Sequence, residues 1–293
     1  MRITQRAVAL TSLQGLNRNL DSVAKLQQQL TSGKQISAPS DSPTGTNRAM
    51  QTRNDQAAVD QQARNITDAQ AWLDQTGSTM QSMIAQVQRV RDLTVQGLNT
   101  GAASGPSQQA LATEVASIRD GLIALSNVSV QGRPLFGGVT SSGQAYTTAG
   151  AWAGNAGAPV MRRVSDTESI RIDITGPEAF GTAPSDLFSV VDNIATDLTA
   201  NPAALDGHLT ALDDVLKGML AGVADIGSRA TRVDGLAQIN SDRALSLSSQ
   251  LAVTEDIDMP ETIMRLQMLQ VGYQAALAAT SKAIQPSLLD YLR

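Results

Sequence analysis

Apolar residues recur along this chain at alternating spacings of three and four, and the places where the rhythm stops divide it into elements. Leu13, Leu16, Leu20, Val23, Gln27 and Leu30 form the first set, the a/d pattern of a helix packed along another helix. Gln27 is its one polar member and reads as a register-setting residue. The set ends at Thr31-Ser32-Gly33, where glycine supplies a left-handed cap. Pro39 and Pro43 keep the next stretch out of a helix, and Ser42 before Pro43 reads as an N-cap with proline at the first helical position. Val59, Gln62, Ile66, Ala69, Leu73, Thr76, Met80, Met83, Val87 and Val90 then carry the rhythm through one long helix. It runs from roughly residue 44 to 99, about 80 Å at 1.5 Å per residue. Gly101 to Pro106 breaks it, and Leu111, Val115, Ile118, Leu122 and Leu125 predict a third helix returning antiparallel.

From Gly132 to about Pro184 the heptads vanish and Gly, Thr, Ser and Ala dominate. Within this stretch Ile170-Arg-Ile-Asp-Ile174 alternates strictly, as a half-buried strand does. Helical spacing resumes near Asp186 with Leu187, Val191, Ile194 and Leu198. The longest seam follows: Leu205, Leu209, Leu212, Leu216, Met219, Val223, Ile226, Ala230, Val233, Ala237, Asn240, Ala244, Leu247 and Leu251. Only Asn240 is polar in it, and so sustained a repeat specifies a coiled coil or bundle. The phase shifts at Asp258-Met-Pro-Glu261, which fits a capping box. A last helix carries Ile263, Leu266, Gln270, Tyr273, Leu277, Thr280 and Ile284 before Pro286 interrupts it.

The seams at the two chain ends face nothing local, so each is the natural partner of the other. The resulting fold class is mainly α, a long-helix coiled-coil bundle formed by N- and C-terminal segments with a small β-rich central insertion. Three parts follow: residues 1–42 and 256–293 as a terminal helix pair, 43–131 and 186–255 as the long-helix bundle, and 132–185 as a small β-rich outer domain. A pair of helices this short gains little without further packing. The terminal pair is therefore expected to order mainly against copies of itself or a partner, its assembly seam being Leu13, Leu16, Leu20, Val23, Leu30, Ile263, Leu266, Tyr273, Leu277 and Ile284.

Composition removes most chemistry from this scaffold. Aromatic residues are 3% of the 293 positions, so the core rests on Leu, Val, Ile, Met and Ala. With no cysteine there is no disulfide, thiolate nucleophile or Cys-ligated metal, and one histidine, His208, cannot build a His-rich metal site. His208 lies off the seam and reads as a solvated helix residue. Asp213-Asp214 and Glu255-Asp256-Ile-Asp258 lack the glycine turn and spacing of a calcium loop, and read as helix-face charge and capping. Gly137-Gly138 and Gly150 to Gly157 sit in no phosphate-binding context. A net charge of −5 argues against a nucleic-acid binder. The basic start has no apolar region behind it, and no apolar run approaches the ~18 residues of a membrane span. No enzyme activity, catalytic residue, cofactor or metal is called for.

Four segments resemble the flagellin superfamily. Leu30-Thr-Ser-Gly-Lys-Gln-Ile-Ser-Ala-Pro-Ser-Asp41 is similar to the junction between that family's first two helices, with Ser42 where a second Asp is usual. Gln88-Arg-Val-Arg-Asp-Leu93 resembles a helical motif of flagellins. Gly132-Arg-Pro-Leu-Phe-Gly-Gly138, with Pro134 in place of the usual Tyr, and Ser287-Leu-Leu-Asp-Tyr-Leu292 resemble the family's hook–filament junction members. The resemblance implies a non-enzymatic structural subunit whose terminal helices join the inner tube of the axial structure, with the β-rich part projecting outward. Its implied partners are the hook-side junction protein, flagellin, copies of itself in a ring, and a flagellar export chaperone at the C-terminal helix; nucleic acid and membrane insertion are not implied. The implied location is extracellular, at the hook–filament junction, reached by the flagellar type III route without a cleaved signal peptide. Arg89, Leu93 and Glu114 match positions that in flagellins contribute to subunit contacts and, in many, to a patch read by an innate immune receptor. The alternatives are a minor flagellin and, further off, a type III needle-tip or translocator protein, which calls for an apolar membrane-active segment.

Overall fold

The computed structural model describes residues 2–99, 105–140 and 143–284. The motif at 287–292 and the break at Pro286 lie outside the described residues, as does the side chain of Ile284. In chain order come α1 (Arg2–Ser32), α2 (Pro43–Leu98), α3 (Gly105–Ser126), β1 (Ser129–Val130), β2 (Arg133–Pro134), β3 (Met161–Arg163), β4 (Ser169–Arg171), α4 (Gly176–Phe180), α5 (Leu187–Ala200), α6 (Leu205–Glu255) and α7 (Met259–Ile284). They form two compact units, Val59–Arg243 and Met1–Ala58 with Ala244–Arg293.

In the first unit the heptads do what their spacing predicts. All ten α2 seam positions from Val59 to Val90 are buried, including the polar Gln62 and Thr76. Thr76 satisfies its hydroxyl by donating to the Trp72 carbonyl one turn back, at 2.7 Å. Every α6 seam position from Leu205 to Val233 is buried or half-buried, as are Ala237 and Asn240. Successive contacts fix the two helices as antiparallel. Arg91 pairs with Asp213, Gln70 donates to Asp234 at 2.7 Å, and Asn240 reaches the Val59 carbonyl and Gln62 at 3.3 Å each. Helix α3 returns along α2, with Arg89 meeting Glu114, and packs against α5. At Gly97 an added Cβ would meet the end of the Leu198 side chain of α5, so glycine lets the two helices approach without moving that leucine.

The central segment shares this core instead of standing off from it. Leu135, Phe136, Val164, Ile170, Ile172, Ile174 and Phe180 belong to one apolar cluster with Ile66, Leu73, Met80, Leu212, Met219 and Ile226 of α2 and α6. All three phenylalanines of the chain sit here: Phe180 meets Phe136, Tyr146 and Phe188 edge-on, and Tyr146 and Phe188 pack tilted against each other. Burial pushes the Tyr146 hydroxyl well above its ordinary pKa. The sheets are two separate antiparallel hairpins. In β1–β2 the turn residues Gln131 and Gly132 both take positive φ (51° and 77°), the twist that suits a two-residue hairpin. In β3–β4 the regular pairing stops at Arg171. The expected alternation to Ile174 breaks at Asp173, which is buried because it accepts from the Val160 amide (2.9 Å) and Arg171 (3.0 Å).

Side chains strap the β3–β4 hairpin across the helix pair. Arg162 binds Asp68 of α2 at 2.6 Å, and Asn65 donates to the Arg163 carbonyl at 2.8 Å. The turn residue Asp166 takes Gln62 of α2 on one oxygen (2.8 Å) and Arg243 of α6 on the other (2.7 Å). Asn240, the polar seam position, thus connects through Gln62 to the hairpin.

The core fixes a stability hierarchy on α6. Leu212→Ala, at a fully buried site, is expected to cost about 2–5 kcal/mol. Leu245→Ala, at a site 73% exposed, should stay within about 0.5 kcal/mol of wild type. Urea unfolding of the two variants checks this, and equal midpoint shifts would contradict the assignment of the core.

Candidate assembly surface

In the second unit α1 packs against α7. Among the described side chains, the buried or half-buried positions on α1 are Ser12, Leu16, Asn19, Val23, Leu26, Gln29 and Leu30; on α7 they are Thr262, Leu266, Leu269, Tyr273, Ala276 and Thr280. Leu16, Val23, Leu30, Leu266 and Tyr273 therefore face the partner helix, as a shared seam needs. The intervening positions fall one residue earlier than the sequence spacing suggested. Leu26 stands where Gln27 was expected, Leu269 replaces Gln270, and both glutamines are exposed. The physical reason is that both helices carry apolar residues on either side of the shared positions, so two overlapping rhythms can be read.

The residues left over make a second apolar surface. Leu13, Leu20, Ile263 and Leu277 are 43–51% exposed on the flank of the pair, joined by Leu10 and Met259. Beyond the flank, Met264, Met268 and Val271 lie on the side of α7 away from α1 and are more exposed still. At 100° per residue these positions fall on the face opposite Leu266, Leu269 and Tyr273. The corresponding outer side of α1 is polar, with Gln14, Arg18, Asp21, Lys25 and Gln28. α1 is amphipathic, whereas α7 is apolar around most of its circumference. A helix apolar on several sides reaches its stable state only when several sides are covered.

The caps at the foot of the pair follow the sequence closely. Gly33 takes φ +70° and its amide closes on the Gln29 carbonyl at 2.8 Å. Ser42 caps α2 through the Gly45 amide (3.1 Å), and Asp258 caps α7 through the Glu261 amide (3.0 Å). The Glu261 carboxylate turns to Arg265 (2.6 Å) in place of the reciprocal arm of a capping box. The loop between α1 and α2 is organised by Asp41, a role that the linker composition did not announce. One Asp41 oxygen accepts from Lys25 (2.9 Å) and the other from the Ser37 and Ala38 amides (3.1 and 3.0 Å). The Lys25 hydrogen bond, with the two amides behind it, holds the Asp41 carboxyl at about 2. Glu255, read as helix-face charge, is instead a buried ion-pair centre, bound by Lys34 (2.5 Å) and Arg53 (2.7 Å).

Two of the three receptor-like positions meet on the surface of the other unit. Arg89 and Glu114 form an exposed pair at 2.6 Å, while Leu93 is 1% exposed and belongs to the core. A neighbouring molecule can touch Arg89 and Glu114 but not Leu93. Arg91 binds Asp213 at 2.8 Å, and that hydrogen bond holds the Asp213 carboxyl below the ordinary range. His208 is not free in solvent: its Nε2 lies 2.7 Å from Asp197, tying the start of α6 to α5. Nothing in the spacing of His208 and Asp197 signals that pairing, because it depends on the turn between two helices.

Two family models match this chain: the bacterial flagellin N-terminal helical region over residues 3–141 and the flagellin C-terminal helical region over 209–292. The chain is 25% identical over 309 residues to flagellar hook-associated protein 3 of Escherichia coli K12, spanning 95% of this chain and 96% of that protein. It is 24% identical over 310 residues to the flagellin of Bacillus subtilis 168, spanning both chains in full (100% each). Among solved structures the fold is similar to Bacillus cereus FlgL, with TM-score 0.61 and 22% identity over 69% of this chain and 99% of that one. It is also similar to the flagellar junction protein FlgL of Legionella pneumophila, with TM-score 0.59 and 13% identity over 71% and 99%.

The two surfaces answer differently to simple changes. Asp41 stabilises the fold above its unfolded pKa of about 4 and loses that contribution as pH falls toward its folded value. Carboxylate NMR should therefore give Asp41 a midpoint of about 2, and Lys25→Met should raise it toward the ordinary aspartate value; an unmoved midpoint would show that Lys25 is not the cause. Leu93→Ala should destabilise by about 2–5 kcal/mol and Arg89→Ala by no more than about 1 kcal/mol, since one empties a core site and the other opens a surface pair.

Proposed function

The chain belongs to the bacterial flagellin family, and from that footing we propose that it is the structural subunit that joins the hook-side adaptor to the flagellin filament. It is not an enzyme. The observation that carries the reading is the terminal pair, a helix couple that leaves Leu13, Leu20, Ile263, Met264, Met268 and Leu277 exposed. Exposed contiguous apolar area of this kind marks a protein–protein contact. The near full-length similarity to a hook-associated protein supports a place at the junction, outside the cell.

In this reading the mechanism is mechanical coupling through burial. The flank residues Leu13, Leu20, Ile263 and Leu277 pack against copies of the chain in a ring, and Leu16, Val23, Leu30, Leu266 and Tyr273 hold each pair together. One side of the ring meets the hook-side junction protein and the other meets flagellin. Before assembly the chain travels unfolded through the flagellar type III apparatus, with a chaperone covering the C-terminal helix. The absence of cysteine suits that passage, since no disulfide has to be broken. Arg89 and Glu114 supply a polar contact between neighbouring subunits. The minor-flagellin alternative draws on the full-length similarity to Bacillus subtilis flagellin, and deletion separates the two. Loss of a junction subunit leaves hooks without filaments and flagellin shed into the medium, whereas loss of a minor flagellin leaves filaments in place.

The double variant Leu20→Ser, Leu277→Ser tests the surface itself. Both residues are about half exposed, so the melting of the free protein should change little, by about 0.5 kcal/mol per site. In a deletion strain the variant should be secreted normally yet fail to retain filaments. Filaments and swimming at wild-type level would show that the flank makes no essential contact.

A further inference from the structure

The joint from which the α1–α7 pair springs is built unlike the rest of the molecule. Two chain breaks meet there: 33–42, between α1 and α2, and 256–258, between α6 and α7. They touch through an antiparallel bridge of Lys34 with Asp256, in which the Gln35 amide donates to the Glu255 carbonyl (2.6 Å) and the Ile257 amide to the Gly33 carbonyl (3.1 Å). Across residues 31–42 and 251–260 one residue alone is buried, and it is a carboxylate: Glu255, 3% exposed. Where the Val59–Arg243 unit has an apolar cluster, this joint has a charge.

That charge gathers three elements. Glu255 ends α6, Lys34 belongs to the loop after α1, and Arg53 projects from the first turns of α2. The other charged groups of the joint are Asp256, 3.9 Å from the Lys34 ammonium, Asp41 of the loop, paired with Lys25 of α1, and Asp258, which caps α7. Lys34 and Arg53 are about half exposed and return to water at little cost, whereas Glu255 has no such freedom. An apolar plug holds at any pH, but this contact lasts only while Glu255 is ionised. Once it is neutral, the two backbone hydrogen bonds and the long, exposed Lys34–Asp256 pair are left to oppose the conformational freedom of the joint.

We propose that Glu255 is the ionic latch of the joint. Charged, it pins the loop after α1 and the first turns of α2 to the end of α6; neutralised, it frees the α1–α7 pair from those helix ends while residues 59–243 stay folded. The sign of the pH dependence follows from the neighbours. Burial pushes the Glu255 carboxyl up, but Lys34 and Arg53 together outweigh it and hold it below the ordinary glutamate value. The latch is therefore closed at neutral pH and opens only in acid, below the usual glutamate range.

Hydrogen exchange by mass spectrometry on the full chain tests this, with times corrected for the intrinsic pH dependence. Wild type at pH 3 against pH 7 should lose protection about tenfold in 20–35 and 256–270 while keeping it in 66–93 and 212–233. Glu255→Gln should show the same loss already at pH 7, and trypsin should cut it after Lys34 about tenfold faster than wild type. Glu261→Gln, which breaks the exposed pair with Arg265, should behave as wild type. Full protection in Glu255→Gln at pH 7 would overturn the latch, and so would an acid loss spread evenly over both units. If Glu255→Gln does not fold, the wild-type acid profile decides: selective loss upholds the proposal and uniform loss overturns it.

Discussion

Burial of one antiparallel seam, α2 against α6, is the contact on which the rest of the Val59–Arg243 unit depends. Helices of 56 and 51 residues gain most of their stability from such packing and little from intrinsic propensity. Once the seam is in register, α3 and α5 close over α2, and the central segment finds an apolar floor for Phe136, Phe180 and the Ile170–Ile174 stretch. The polar seam position is part of the same arrangement: Asn240, Gln62, Asp166 and Arg243 connect the helix pair to the β3–β4 hairpin. A shift of the seam by one heptad would break that chain of hydrogen bonds together with the apolar fit. Register and hairpin therefore support one another.

The molecule uses two kinds of cohesion. Residues 59–243 are held by a continuous apolar core, with ion pairs such as Arg162–Asp68 and Arg243–Asp166 laid across its surface. The terminal pair is held along a single narrow seam, and its foot by carboxylates: Asp41 within the loop and Glu255 at the joint. Weak cohesion and uncovered apolar area coincide on the same two helices. That combination suits a segment that must leave its free-state packing and join a larger one, because little has to be broken before the flank residues can be covered.

Much of this was legible in the residues, for reasons that differ by element. The α2 and α6 seams could be read position by position because one face of each helix is buried along its length and heptad spacing reports that face directly. The caps at Gly33, Ser42 and Asp258 were legible because each depends on residues within four of itself. The terminal seam was read with its intervening positions one residue late, since Leu26 and Gln27 or Leu269 and Gln270 satisfy the pattern equally until the partner helix is in place. The fusion of the central segment with the helical core was not legible. Its aromatic residues are few and scattered in sequence, and only the fold gathers Phe136, Tyr146, Phe180 and Phe188. Ion-pair centres such as Glu255, with partners 221 and 202 positions away, carry no local signal at all.

The central claim is that the apolar flank of the α1–α7 pair and the outward face of α7 are covered only on assembly. Hydroxyl-radical footprinting of the exposed methionines measures that directly, comparing the free protein with protein incorporated into intact flagella. The account predicts that Met259, Met264 and Met268 oxidise readily in the free chain and are strongly protected once incorporated, while Met80 and Met83 in the α2 core stay protected in both. Equal oxidation of the three α7 methionines in the free and incorporated states would contradict it, because the apolar surface of the terminal pair would then remain open to water in the structure it is held to build.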